Sequence, residues 1–121
     1  MWNARLSVSR DVRLYLEDVL CACRKIGRFT QGMTLESFTA DELTYDAVLR
    51  NLEVIGEAAK RVPEPTRQQM PDVPWRAIAG FRDFLAHAYF ALDNTIVWSA
   101  VQDEVPKLGE SVACFLERTG A

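Results

Sequence analysis

Apolar residues recur at steps of three and four through most of this chain, and no segment alternates polar and apolar residues as a strand does. Three long segments carry the pattern: about Ser9 to Ile26, the Thr39 region to about Arg61, and the residues after Asp93. A stripe with this period lies along one face of an α-helix and is buried against other helices. The sequence therefore predicts an all-α, up-and-down bundle of four to five helices.

Local signals mark where the first two helices begin and end. Gly27 is the predicted C-cap of the first helix, and residues 28–38 are predicted to form a connection. Thr39 and Glu42 have the spacing of a capping box, which is expected to open the second helix. That helix is expected to end before Pro63.

The rest of the chain is predicted to hold short helices and one long one. Residues 65–70 can form a short helix with a proline in its first turn, and residues 75–80 a second. Another helix is expected to begin near Phe81. Asp93 is the predicted N-cap of the last long helix, and Pro106 is expected to bend that helix because the apolar stripe continues on both sides.

The apolar stripes predict which residues form the hydrophobic core. Its predicted members in the three long helices are Val12, Tyr15, Leu16, Val19, Leu20, Cys23, Ile26, Leu43, Ala47, Val48, Leu52, Ile55, Ala59, Val62, Ile96, Val97, Ala100, Val101, Val105, Leu108, Val112, Phe115 and Leu116. Gly56, inside the second helix, indicates close helix packing.

Length and composition limit the class of protein. With 121 residues and 49% hydrophobic content, the chain is expected to form one helical domain over residues 1–121. No apolar run approaches the roughly 20 residues that a membrane helix needs. Residues 1–13 lack the continuous apolar stretch of a secretory signal, so we expect a cytoplasmic protein with no membrane partner.

Three cysteines are present, and their spacing does not favour a metal site. Cys21 and Cys23 are two residues apart on a helix and so point in different directions, while Cys114 is distant in sequence. Buried thiols are expected rather than a metal or redox centre.

The charge is unevenly distributed. The net charge of −3 disfavours a general nucleic-acid binder. Residues 60–82, however, carry five basic and two acidic side chains and are therefore net positive. This basic stretch leads into the chain's one histidine, although its charges need not converge in space.

The histidine, His87, lies five residues after Arg82 and two before Tyr89 in the octapeptide RDFLAHAY. Histidine can both accept and donate a proton near neutral pH, and arginine carries a permanent planar charge that matches phosphate oxygens. The pair suggests phosphate chemistry without a metal. A single histidine can also be a structural residue, and residue type alone leaves both interpretations open.

An ideal helix would separate Arg82 and His87 by about 140° around its axis and about 7.5 Å along it. The two could still act on one phosphate in three ways. The helix could end or distort near His87, the long arginine could reach around, or the site could be assembled from two chains.

RNA chemistry favours the two-chain arrangement. Cleavage without a metal needs a base for the 2′-hydroxyl, an acid for the departing 5′-oxygen and positive charge on the phosphorane-like transition state. One chain offers one histidine, whereas a twofold homodimer offers two imidazoles and two guanidiniums around a shared cleft. DNA would not react in this way because it lacks the internal nucleophile.

The octapeptide matches the Arg-x4-His-x-Tyr signature of the HEPN superfamily. The chain resembles the HepT-type toxin branch, which is encoded beside MntA-type minimal nucleotidyltransferases. Three flanking segments, residues 50–60, 73–81 and 93–98, carry the resemblance, which extends from about Asp11 to Leu108.

The resemblance implies an all-helical, homodimeric, metal-independent ribonuclease without a cofactor, which acts on RNA as the toxin of a toxin-antitoxin pair. Arg82 and His87 would be catalytic, Asp83 would support the site, and Tyr89 would accept AMP from the partner nucleotidyltransferase, silencing the toxin. Many relatives carry asparagine at the Asp83 position. An aspartate there could orient His87 or pair with Arg82, but its charge also competes with substrate phosphate.

Two other functions fit the same residues. One is a non-catalytic subunit that binds a nucleotide or a nucleotidyltransferase partner, and the other is a helical assembly module with a structural histidine. Trp75, Phe81 and Trp98 are interpreted as core or interface packing rather than base stacking. On residue type alone, Tyr89 fits a packed aromatic as well as it fits a modification target.

Overall fold

The computed structural model describes residues 8–87 and 93–120, except for the side chains of residues 82, 84, 86 and 87. In these ranges the chain is helical and contains no strand, which confirms the predicted all-α class. The α-helices are α1 (Arg10–Thr30), α2 (Leu35–Ala40), α3 (Glu42–Lys60), α4 (Glu64–Gln68), α5 (Trp75–His87), α6 (Asn94–Ser99) and α7 (Val105–Thr119). A π-helical segment, Ala100–Glu104, joins α6 to α7 without a break.

The helices pack around α3. Helix α3 contacts α1 on one side and α5 on another, α1 also packs against α7, and the short α2 contacts α3 and α6. The largest fully buried side chains are Phe38, Phe115, Leu16, Ile26, Val19, Val48, Val97 and Val112. None of the described helices combines the length and the apolar character that crossing a membrane would require.

The first helix is longer than the sequence signals indicate. Ser9 caps α1 by accepting a hydrogen bond from the Val12 backbone N–H, but the helix continues past Gly27 to Thr30. The prediction of Gly27 as the C-cap is wrong, because the turn is made at Gly32. There the backbone φ is +76°, a conformation that favours a residue without a Cβ atom.

The predicted connection over residues 28–38 contains part of an additional helix, α2. Its capping box is formed by Thr34 and Ser37, each of whose side chains accepts from the other's backbone N–H. Thr39 does not cap α3, because its hydroxyl donates to the Leu35 carbonyl. Asp41 caps α3 instead, so the predicted box at Thr39 and Glu42 is wrong.

The middle of the chain confirms one short helix and corrects another. Helix α4 has a proline in its first turn, as predicted. The break expected near Phe81 is absent, because residues 75–87 form the single helix α5. A glycine at position 80 is tolerated there, since α5 packs along α3 over much of its length.

The last helix begins at its predicted cap and continues past Pro106, as the sequence predicts. Asp93 caps α6 by accepting from the Thr95 backbone N–H. The π-helical segment lies just before Pro106, which has no N–H to donate to the carbonyl four residues earlier. The helix therefore adjusts its pitch at the proline and continues.

Most of the predicted core is buried, with two clear exceptions. Leu43 is 83% exposed and Ile96 is 48% exposed, so their assignment to the core is wrong. Both residues lie in the first turn of their helices. The first fully buried residues of the two apolar stripes are Val48 in α3 and Val97 in α6.

The cysteines are free, and one of them is buried. Burial of Cys23 removes its thiol from water and raises its pKa to about 12. Cys21 and Cys114 are exposed, so the expectation of buried thiols is wrong for both. A Cβ atom at Gly109 would lie 3.2 Å from the Cys23 Cβ, which shows how closely α7 approaches α1.

Candidate functional site

The candidate catalytic residues lie on α5, at the end that precedes the undescribed segment. Arg82, Asp83 and His87 belong to this helix, and Tyr89 lies outside the described residues. The helix is continuous between Arg82 and His87, so no local distortion brings these two positions together. Three arrangements could let Arg82 and His87 share a phosphate. A continuous helix is compatible with two of them: the long Arg82 side chain could reach around the helix, or a second chain could complete the site.

The register of α5 places two of these positions on the side of the helix opposite to the buried Leu85. Leu85 is buried and Asp83 is exposed. With about 100° per residue, positions 83 and 87 are about 40° apart, and each lies about 160° from Leu85. Position 82 lies about 60° from Leu85, between the buried and exposed faces. Positions 83 and 87 are therefore about one helical turn apart on the same side of the α5 backbone.

A lysine from another helix joins this face. The Nζ atom of Lys60, the last residue of α3, lies 3.2 Å from Asp83 Oδ1 and 3.4 Å from Oδ2. Both side chains are partly open to solvent, with 42% of Lys60 and 55% of Asp83 exposed. From the sequence, Arg82 and His87 were the expected partners of Asp83, and Lys60 was not among them. The only sequence signal that could have indicated Lys60 was its position as the first residue of the basic stretch, residues 60–82.

The other basic residues of the stretch have different positions. Arg61 pairs with Glu57 one turn earlier on α3, at 3.8 Å. The Arg67 Nη2 atom donates a hydrogen bond to the Ala59 carbonyl oxygen at 2.8 Å. This pairs one of the backbone acceptors in the last turn of α3. Arg76 is exposed on α5, about 120° around the helix from position 82. The described basic side chains of residues 60–82 therefore do not gather at one place. Lys60 is the one among them that contacts Asp83.

Contacts after the motif hold the start of α6. The Tyr45 hydroxyl on α3 donates to Asn94 Oδ1 at 2.6 Å, and the Phe38 ring lies about 5 Å from the rings of both Tyr45 and Trp98. Hydrogen bonds from the Thr95 side chain and backbone hold the pKa of Asp93 below its usual value. The role of Tyr45 was not predicted, because no local sequence signal connects it to Asn94, which is 49 residues away.

The aromatic residues near the motif pack as expected. Trp75 is buried, and its Nε1 donates to the Met70 carbonyl at 3.3 Å, which fixes the start of α5. Phe81 and Trp98 are partly buried against the core. Among the side chains that the structure describes, no group of three or more His, Cys, Asp or Glu is placed to hold a metal ion.

Comparison with known proteins identifies the family. The family model described as "Ribonuclease HepT-like" matches residues 19–114. The chain is 41% identical over 101 residues to a protein of Thermococcus cleftensis named "Probable ribonuclease HepT", covering 84% of this chain and 92% of that one. No solved structure gives a significant match.

Two further relatives agree. A Methanocaldococcus jannaschii protein whose name calls it a putative RNase is 44% identical over 97 residues, which is 80% of each chain. One from Caldanaerobacter subterraneus, named in the same way, is 38% identical over 106 residues, covering 88% of this chain and 95% of the relative. The matched region includes α3, α5 and the residues between them, and the chain therefore belongs to the HepT-like ribonuclease family of the HEPN superfamily.

Proposed function

We propose that this protein is an endoribonuclease in which Arg82 and His87 perform catalysis and Asp83 supports them. One observation carries the proposal. Relatives named as ribonucleases match most of the chain, and the matched region contains the helix with the arginine, the aspartate and the histidine. Fold alone would not assign an activity, so the proposal rests on these residues and their chemistry.

The reaction follows from the functional groups that are available. A neutral His87 imidazole removes the proton from a ribose 2′-hydroxyl, and the resulting oxygen attacks the adjacent phosphorus. The bond to the 5′-oxygen breaks, and a protonated imidazole gives that oxygen a proton. The products are a 2′,3′-cyclic phosphate and a 5′-hydroxyl. The Arg82 guanidinium stabilises the charge that accumulates on the phosphoryl oxygens.

The need for two imidazoles supports a homodimer. The chain has one histidine, yet the reaction uses a base and an acid at the same phosphate. The continuity of α5 leaves about 140° between positions 82 and 87, which one straight helix does not close by itself. A twofold axis near the exposed face of α5 would bring a second arginine and histidine to the same groove.

Substrate chemistry provides the direct test. We expect the purified protein to cleave single-stranded RNA in the presence of EDTA, leaving a 2′,3′-cyclic phosphate end, and to leave DNA of the same sequence intact. The reason is that the 2′-hydroxyl is the nucleophile and no step uses a metal. Gel electrophoresis with end-group analysis measures both results.

Intact RNA at every protein concentration would contradict the nuclease and would favour a non-catalytic binding subunit. Cleavage that EDTA abolishes would contradict the metal-independent mechanism. Equal cleavage of RNA and DNA would contradict attack by the 2′-hydroxyl.

The proposal includes a regulatory partner. As the toxin of a toxin-antitoxin pair, the protein would be silenced when a minimal nucleotidyltransferase transfers AMP to Tyr89. In that step the tyrosine oxygen attacks the α-phosphorus of ATP and pyrophosphate leaves. The AMP group adds bulk and negative charge two residues from His87, and both would oppose the entry of an RNA phosphate.

Coexpression with a nucleotidyltransferase encoded beside the chain tests this switch. We expect a mass increase of one or more AMP units on the peptide that contains Tyr89, and at least a tenfold loss of RNA cleavage. Tyr89→Phe should remain unmodified and active. Tyr15 and Tyr45 serve as internal controls for the site of transfer. An unmodified Tyr89 beside an active partner enzyme would contradict the switch.

A further inference from the structure

An apolar pocket lies between the motif helix α5 and the last helix, α7. Leu52 and Ile55 of α3 form its floor, and an apolar strip of α5 that includes Ile78 and Phe81 forms one wall. The other wall is the π-helical segment, which ends at Glu104, and the first turn of α7. Phe81 lies about 120° around α5 from position 87 and about 160° from position 83. The pocket is therefore on a different side of the helix from these two positions.

The pocket is a gap left by the way the helices pack. Among the described elements, the main packing partner of α5 is α3, whereas α7 packs mainly against α1. The two helices therefore stand apart above α3, and no described side chain fills the space between them. The resulting cavity has a volume of about 130 Å³.

The inner part of the pocket is apolar and its rim is open to solvent. Leu52, Ile55 and Leu108 are buried, while Ala77 and Glu104 are exposed. A water molecule needs two to four polar partners to stay in a cavity, and Glu104 is the one polar side chain of the described lining. Cavities of about 150 Å³ that are lined by Leu, Ile and Phe stay dry and bind benzene. The pocket therefore has the size and chemistry for one benzene-sized group.

Glu104 gives the pocket a preference for positive charge. Its side chain makes no hydrogen bond or ion pair with any residue that the structure describes. A cation attached to a group in the pocket would meet this carboxylate at the rim, whereas an anion would be repelled by it.

We propose that this pocket binds a small amphipathic amine. A benzene-sized apolar group enters between α5 and α7, and its ammonium pairs with the Glu104 carboxylate at the rim. The bound ligand contacts both helices and so restrains α5, which carries the motif. This binding site goes beyond the proposed ribonuclease function and uses none of the candidate catalytic residues.

The probe is 2-phenylethylamine, with 2-phenylethanol and phenylacetate as neutral and anionic counterparts of similar size. NMR titration of the full chain at pH 7 measures each Kd from the shifts of residues that line the pocket. For a ligand this small we expect a Kd of about 1 mM or below for the amine. The alcohol should bind about three- to fivefold more weakly, as expected for loss of one exposed ion pair. Phenylacetate should bind at least about tenfold more weakly, because it adds repulsion.

Two variants test the two parts of the site. Glu104→Gln keeps the shape of the side chain and removes its charge, so the amine and the alcohol should bind to it equally well. Ala77→Leu places a larger side chain at the exposed rim and should weaken binding of all three probes by at least about tenfold. Thermal unfolding of each variant shows whether the fold is retained.

Asp103→Asn is the matched control for the charge. Asp103 is exposed in the same π-helical segment, and it is not among the residues that line the pocket. We expect its Kd for the amine to stay within about twofold of the wild-type value. Equal weakening by Asp103→Asn and Glu104→Gln would assign the preference to general charge and overturn the proposal.

Hydrogen exchange measures the restraint of α5. At an amine concentration ten times its Kd, openings of α5 that break the pocket should become about tenfold rarer. The amides of α5 that exchange through such openings should slow by that factor, while those of the distant helix α2 keep their rates. Unchanged exchange throughout α5 would overturn the restraint.

Three further outcomes overturn the binding site itself. The first is no binding of any probe, as expected if a second copy of the chain covers the pocket. The second is equal binding of the amine and the alcohol to the wild type. The third is full affinity in Ala77→Leu, which would place the probe elsewhere. None of these measurements involves RNA, so the binding site and the nuclease are tested separately.

Discussion

Replacing His87 by alanine is expected to lower the rate of RNA cleavage by about 10²- to 10⁴-fold, and Arg82→Ala is expected to have an effect in the same range. Positioned acid–base groups typically contribute this much, and a guanidinium that stabilises transition-state charge contributes similarly. Single-turnover cleavage of a labelled RNA measures both rates. A rate within tenfold of wild type for His87→Ala would remove the imidazole from the mechanism.

Arg76→Ala is the matched control for the arginine. Arg76 is exposed on the same helix but about 120° around it from position 82, so its loss should change the rate by no more than a few fold. Circular dichroism and thermal unfolding of each variant would show whether the fold is retained. An equal loss for Arg76→Ala and Arg82→Ala would indicate general charge rather than a catalytic group.

Mixing wild-type chains with an Arg82→Ala/His87→Ala double variant distinguishes a site within one chain from a site between two. A heterodimer of these chains keeps one arginine and one histidine, both on the wild-type subunit. If the groove is shared and uses two imidazoles, we expect heterodimers to cleave RNA at least about tenfold more slowly than the wild-type dimer. Heterodimers that retain about half of the wild-type rate would contradict the shared groove.

Phe38→Ala is expected to lower the free energy of unfolding by about 3–5 kcal/mol, the largest stability effect that we predict. The ring is fully buried and contacts Tyr45 and Trp98, so its removal loses apolar burial and leaves a cavity between α2, α3 and α6. Domains of this size are stable by only about 5–15 kcal/mol. Urea unfolding should show a lower midpoint with an unchanged slope.

Phe29→Ala provides the same chemical change at an exposed position. Phe29 is 39% exposed on α1, and we expect its loss to cost less than about 1 kcal/mol. Similar destabilisation by the two substitutions would contradict the role of Phe38 as a core residue. The comparison also bears on the site, because the rings around Phe38 hold α6, which begins soon after the motif.

The elements that were predicted correctly depend on local chemistry. The helical class, the capping role of Asp93 and the continuation of the last helix past Pro106 all follow from residues close together in sequence. The errors arose where several local signals competed. Thr39 and Asp41 both fit an N-cap, and Gly27 and Gly32 both fit a helix end, so the choice depended on packing that periodicity does not describe.

Helix boundaries in the motif region show the same limit. Two helices were predicted, one over residues 75–80 and one from about Phe81, yet α5 is continuous from Trp75 to His87. A glycine costs a helix about 1 kcal/mol, which burial along α3 can offset. That continuity matters for function, because no break in the helix lies between Arg82 and His87, and the reach of the arginine or a second chain would have to bring them to one phosphate.

The sequence by itself determined that this chain is an all-α protein with Arg82, Asp83 and His87 on one segment, because helical period and motif spacing are properties of neighbouring residues. Only the tertiary structure decided that Lys60, 23 residues before Asp83, contacts its carboxylate, and that Tyr45 holds Asn94. The physical reason is that these contacts depend on how α3 packs against its neighbours, and helix packing brings together residues whose distance along the chain carries no record of it.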